Sequence, residues 1–191
     1  MKRFLGYFIP SLLIIAAIFG LVFGAILPFY RARIFNEAIN SLPDITNLNE
    51  FKDVFNKAFN FYAPVGEEEI GRFTANDILK MISKTGQPKD DSRTIVDYIE
   101  PHLLNGDVRD IITIGQMRLV LGINFREEGD FKESEARYFQ ALAISPRFPI
   151  VLYGLLDLYK SKNDKDKMNS MAEKIIAIWP EDAETRSFLS K

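Results

Sequence analysis

The 191-residue chain has no cysteine, one histidine and one tryptophan. Without cysteine there is no disulfide framework, thiolate metal site, thiol nucleophile or lipidated N-terminal cysteine. His102 is the lone histidine, which argues against a multi-histidine metal centre and a histidine-dependent triad. Excess positive charge is missing as well. Lys and Arg number 24 against 26 Asp and Glu, a formal net charge of −2, which argues against a nucleic-acid partner because that would need a basic face. The chain contains no G-x-x-x-x-G-K, G-x-G-x-x-G, H-E-x-x-H or G-x-S-x-G motif. Its many paired carboxylates read as solvated helix faces. The sequence therefore predicts a protein that is not an enzyme, with no catalytic residue, no cofactor-binding residue and no metal ligand.

Charge is absent altogether from one long stretch. Phe4 to Tyr30 carries none, bracketed by Lys2 and Arg3 on one side and Arg31 and Arg33 on the other. The mean hydropathy near zero thus averages an apolar, basic-flanked segment with an acidic body. Residues 34–191 alone carry 20 basic against 26 acidic groups. Residues 4–27, FLGYFIPSLLIIAAIFGLVFGAIL, would span about 36 Å as a helix, enough for a ~30 Å hydrocarbon core. Such a helix satisfies its own backbone, as a bilayer requires. Tyr30 is placed as an aromatic anchor at the interface. A cleaved signal peptide would have a shorter apolar core and an A-x-A-like site, which is lacking here. Gly20 and Gly24 have the spacing of a helix-dimer motif. Counting basic residues on the two flanks slightly favours a cytoplasmic N-terminus, with the body outside the cytoplasm. The expected location is a single-pass membrane protein, in a bacterial cytoplasmic membrane.

The rest of the chain shows helical periodicity and no sustained period-2 alternation. Ile34, Phe35, Ala38, Ile39 and Leu42 share one helical face before Ser41-Leu42-Pro43-Asp44 breaks it. From Asn47 to Tyr62 the stripe is Phe51, Val54, Phe55, Ala58, Phe59 and Tyr62, ended by Pro64 and Gly66. Glu67, Glu68 and Glu69 suit a helix N-terminus. Thr74 with Asp77 reads as a capping box that restarts a helix. Residues 85–92, TGQPKDDS, are expected to form a loop. Arg93 to Leu104 is again helical, with Pro101 ending or kinking it. Asn105-Gly106-Asp107 is a helix stop followed by a new cap.

The last 77 residues repeat at a period of 34, setting Leu121 on Leu155, Phe125 on Tyr159, Gly129 on Asn163, Ala141 on Ile175, Ile144 on Ile178 and Pro146 on Pro180. Each unit is helix, short turn, helix, proline. The turns are EEGD (127–130) and SKND (161–164), where Gly129 or Asn163 would adopt the left-handed conformation at a helix end. The unit 115–148 resembles the tetratricopeptide repeat. Leu121-Gly122, Phe125, Gly129, Ser134, Tyr138, Ala141 and Pro146 stand at that family's signature positions. The unit 149–182 keeps Leu155, Tyr159, Ala172 and Pro180, but Leu156, Met168 and Ile175 replace small residues. The resemblance implies close packing of antiparallel helices at positions 122, 134 and 141, with aromatics wedged between units. More loosely, a span followed by FYRAR, an amphipathic helix and terminal repeats resembles the C-terminal tail of bacterial O-antigen ligase or polymerase-type membrane proteins.

The fold expected is all-α: an N-terminal transmembrane helix, then an α-solenoid of antiparallel TPR-like hairpins. Residues 1–30 would be the anchor and 31–110 helical hairpins stacked on the repeats. Residues 111–182 would hold the two repeats, and 183–191 a short capping helix with Arg186 and Lys191 polar. Trp179 would be a packing wedge. The resemblance implies a membrane-anchored adaptor or scaffold binding a protein partner through a concave face. That face would comprise Gln116, Leu119, Ile123, Arg126 and Glu127, then Tyr153, Asp157 and Lys160. Leu119 and Ile123 replace the Lys and Asn of repeats that clamp a C-terminal carboxylate, which favours an apolar peptide or helix. Alternatively the two pack inside the chain. Other expectations are a structural subunit assembled through its membrane helix, as a homo-oligomer or with a multi-span partner, and an accessory of envelope polysaccharide assembly.

Overall fold

A computed structural model describes residues 2–45, 47–84, 86–103 and 106–189, with side chains described from Pro10 onward. Among them every regular element is helical. The side chains of Lys2 and Arg3, and the residues Thr85, Leu104, Asn105 and Lys191, on which parts of the sequence reading rest, lie outside the described set. The chain divides into two compact units, residues 1–71 and 72–191.

The first unit opens with α1 (Lys2–Leu21), a π-helical turn (Val22–Ile26) and α2 (Leu27–Ser41), which run on as one helix. From Pro10 to Leu21 every side chain is exposed, and the helix holds a stretch long and apolar enough to cross a membrane. Gly24 falls within the π-helical turn, and no other group stands within 4 Å of where a Cβ would sit on Gly20 or Gly24. A 3-10 turn, Leu42–Asp44, ends the helix at Pro43, and α3 (Leu48–Phe59) returns along α2. The Asn47 side chain caps α3 by accepting from the Glu50 amide at 2.9 Å. Phe35 and Ala38 of α2 meet Phe51, Phe55, Ala58 and Phe59 of α3 in the core. Phe51 stacks on Phe55 at 4.5 Å between centroids, and Phe35 meets Phe55 edge-on at 6.3 Å. The apolar stripe expected to reach Tyr62 stops sooner. Tyr62 lies past the helix end and is 68% exposed.

Arg31, the first charge after the apolar run, has a structural role that the sequence did not indicate. Its guanidinium is buried and donates to the carbonyls of Phe59, Ala63 and Val65 at 3.3–3.4 Å, with Glu67 at 3.7 Å. It supplies a partner to the last carbonyl of α3 and to two carbonyls of the segment that follows. Arg33, by contrast, is exposed and pairs with Glu37 one turn on.

Helix α4 (Glu67–Ile82) starts at the acidic triplet and is continuous. The expected restart at Thr74 does not occur. Thr74 sits mid-helix, 1% exposed, and its hydroxyl has no hydrogen-bond partner among the described residues. In the second unit, α5 (Lys89–Ile99) begins inside the segment expected to be a loop, which is thereby shortened. Pro101 lies in the 3-10 turn (Glu100–Leu103) that ends this helix. Gly106, at φ 78°, then leads to Asp107, whose carboxylate caps the next helix by accepting from the Arg109 amide at 2.8 Å.

The helices α6 (Val108–Phe125), α7 (Glu128–Ile144), α8 (Pro149–Lys162), α9 (Lys165–Ile178) and α10 (Ala183–Leu189) follow. Each packs on the one before it, and α6 also meets α8. Positions 122, 134 and 141 sit where the helices come close. A Cβ on Gly122 would stand 2.9 Å from the Phe131 ring. The buried Ser134 hydroxyl donates to the Gly115 carbonyl at 2.8 Å, and Ala141 is fully buried. The first turn differs from expectation. Arg126, not Gly129, takes the left-handed conformation (φ 55°), and Gly129 lies inside α7. The second turn has Asn163 in that role (φ 57°). Trp179 stacks on Tyr153 at 6.1 Å and packs against the core.

Candidate functional site

Within the second unit, α4, α6, α7 and α8 surround an open cavity of about 530 Å³, a size typical of ligand-binding clefts. Its apolar lining comprises Leu79 of α4, Leu119 and Val120 of α6, and Pro149, Ile150 and Gly154 of α8. Its polar lining is small: Ser83, Gln116, Tyr138, Tyr153 and Asp157.

The lining follows helical periodicity. Gln116, Leu119 and Val120 share one face of α6, and Pro149, Ile150, Tyr153, Gly154 and Asp157 share one face of α8. Tyr138 enters from α7 because two glycines make room for its ring. A Cβ on Gly115 would stand 3.1 Å from it, and a Cβ on Gly154 would stand 2.6 Å from Cζ and 2.8 Å from the hydroxyl oxygen. The ring is therefore held between α6 and α8, 1% exposed.

Several side chains around the cavity are already engaged. The Ser83 hydroxyl donates to the Leu79 carbonyl at 2.6 Å. The Tyr153 hydroxyl donates to Asp182, whose carboxylate also accepts from the Thr185 amide at 3.0 Å and hydroxyl at 2.7 Å. The Thr185 amide first, then the two hydroxyls, hold the Asp182 carboxyl at about 2. The Tyr138 hydroxyl makes no hydrogen bond to a described residue, and burial, then the Asp157 charge, push its pKa up. The Asp157 carboxyl is likewise raised, first by desolvation, with Lys160 opposing. The cavity thus offers a buried neutral phenol below and a carboxylate at its mouth.

Four of the eight residues expected on a binding face line this cavity: Gln116, Leu119, Tyr153 and Asp157. Leu119 is mostly buried, whereas Ile123, one turn on, is exposed and lies outside the lining. Arg126 forms the left-handed cap of α6 and donates to the Ser161 carbonyl at 3.3 Å. Glu127 pairs with Lys89, and Lys160 stands over the Phe188 ring at 5.2 Å. The sequence pattern missed Leu79, Ser83, Val120, Pro149, Ile150 and Gly154, and gave Tyr138 as a packing wedge only. The i, i+3, i+4 spacing along α8 carried the signal for Ile150 and Gly154.

Salt bridges fix the helices that carry the cavity. Arg118 of α6 is buried against Asp97 and Glu100 on one side and Asp130 and Glu133 of α7 on the other. Arg137 of α7 also pairs with Glu100. Arg72 of α4 holds Asp107 at 3.0 Å and Asp110 at 2.6 Å, and the Asn124 amide donates to the Ile82 carbonyl at 2.7 Å.

Comparison of the chain with protein-family models, with curated proteins and with solved structures found no match.

Proposed function

We propose that the chain is a membrane-anchored adaptor whose second unit, built from TPR-like helix pairs, binds an amphipathic segment of a partner protein in the cavity between α6 and α8. The observation that carries this reading is the cavity itself, mostly apolar and lined by four residues that the repeat pattern assigns to a binding face. An apolar side chain of the partner fills the space over Leu119, Val120 and Ile150. A hydrogen-bonding group reaches the Tyr138 hydroxyl, and a basic residue sits opposite Asp157. Leu119 and Ile123 stand where carboxylate-clamping repeats carry Lys and Asn, so an internal helix suits the site better than a free C-terminus. The packing of Gly122, Ser134, Tyr138, Ala141, Leu155 and Ala172 supports the TPR-like reading of the helix pairs. The apolar helix supplies the anchor, as a single-pass membrane protein.

The test places charge at the cavity mouth without removing a buried atom. Ile150 is half exposed and Asp157 is exposed. Ile150→Asp and Asp157→Arg in the full chain are expected to lose the protein that co-purifies with the parent from crosslinked membranes, while thermal melting stays unchanged. Retention of the same co-purifying protein by both well-folded variants overturns the cavity reading.

A further inference from the structure

The first unit holds a second feature that the adaptor reading does not use. Four large side chains stand exposed in its middle and last parts: Phe29 (66%) and Tyr30 (49%) on α2, where the apolar run ends, and Tyr62 (68%) and Val65 (60%) on the segment joining α3 to α4. Single exposed apolar residues are ordinary, whereas aromatic and apolar side chains set around the end of an apolar helix have the composition of a membrane-interface belt.

Arg31 ties the α3–α4 segment to the flank of α2. Its guanidinium donates to the carbonyls of Ala63 and Val65, both at 3.3 Å, which fixes the joining segment against α2 directly after Tyr30. Arg31 directly follows Tyr30, so the segment it holds packs on one flank of α2 at the end of the apolar run, with Tyr30 and Phe29 about 100° and 160° around the same helix. The same hydrogen bonds satisfy carbonyls that could not be left unpaired where water is scarce. On α3 itself the outward positions are of a different kind, with Asp53 and Lys57 exposed.

We propose that the α3–α4 segment lies in the headgroup region of the bilayer that the apolar helix enters, with Tyr62 and Val65 inserted on one flank of that helix and Phe29 and Tyr30 on the others. The occupant of this surface is phospholipid. The assignment rests on the reading that the apolar helix crosses that bilayer. Arg31 then acts as a bracket that seats the first unit on the membrane. The exposed Glu67, Glu68 and Glu69 that follow stay in water and limit how deep the segment goes.

The lack of cysteine makes the test clean. Single cysteines are introduced as Tyr62→Cys, Val65→Cys, Ile15→Cys and Asp53→Cys in the full chain. Each carries an environment-sensitive fluorophore, and the protein is reconstituted in phosphatidylcholine vesicles. Nitroxide lipids quench from near the headgroup or from deep in the acyl chains. The labels at 62 and 65 are expected to emit to the blue of the label at 53 and to lose most of their emission to the shallow quencher. The label at 15 is expected to be lost to the deep quencher. If 62 and 65 behave like 53 while 15 is quenched, the helix spans but the interfacial seat is overturned. If 15 also escapes quenching, the spanning helix fails and the seat fails with it.

Discussion

Gly154 shows how one missing carbon shapes the candidate site. The Tyr138 ring occupies the place where a Cβ on residue 154 would sit, 2.6 Å from Cζ. That ring is buried and rigid, so an added methyl has to push it, or α8, aside. Gly154→Ala is expected to destabilise the second unit by about 1–3 kcal/mol, the usual cost of overpacking, read as a lowered melting temperature. The repeat did not single this glycine out, because the 34-residue alignment looks for a small residue at 156, where Leu156 stands; only its helical spacing from Ile150 and Tyr153 pointed to it. The burial of Arg31 was missed and Thr74 was misread for a related reason. Arg31 follows an apolar run and so counts as a flanking charge, yet carbonyls from residues about thirty positions away bury it. Thr74 and Asp77 have capping-box spacing, yet the helix continues through them. Both identities depend on neighbours distant in sequence or on continuity of a helix, neither of which a local pattern encodes.

At the level of elements, periodicity carried most of the information. The stripe Phe51, Phe55, Ala58 and Phe59 became the buried face of α3, and Gly106-Asp107 became a stop and a cap. Turn placement was less legible. A glycine at 129 is the stronger candidate for a left-handed residue, but Arg126 takes that conformation and Gly129 is absorbed into the first turn of α7. The left-handed caps Arg126 and Asn163 are consequently not related by the 34-residue spacing that relates the helix ends Ile144 and Ile178. The last element, α10, invites a pH test. Asp182 is held ionised by the Thr185 amide and by the Tyr153 and Thr185 hydroxyls, at about 2 against an ordinary 3.8. A depressed carboxyl stabilises the folded form above its unfolded pKa, and that stabilisation is lost as pH falls through the folded value. Between about pH 4 and pH 2 the tie from α8 to α10 therefore weakens. Trp179, stacked on Tyr153, reports it, so its fluorescence is expected to change over that window in the parent and not in Asp182→Asn.

At the scale of the molecule, the two units answer to different surroundings. The first carries the apolar helix, with Phe29 and Tyr30 at its end; the second is a helical stack with a cavity and nearly balanced charge, 18 basic against 19 acidic groups. The split in composition was legible at once, because charge vanishes from Phe4 to Tyr30 and returns as an acidic excess. The cavity was legible only in part. Its α6 and α8 faces follow from helical spacing, whereas its α4 wall and its Tyr138 base come from contacts between distant segments. The most direct measurement is site-specific photo-crosslinking in intact membranes. A photoreactive phenylalanine replaces Ile150 at the cavity mouth or Asn169 on the exposed side of α9. The expected result is one discrete protein adduct from position 150, absent from position 169 and abolished by Asp157→Arg in a chain that still melts normally. The same adducts from both positions, or an adduct at 150 that survives Asp157→Arg, would contradict the account.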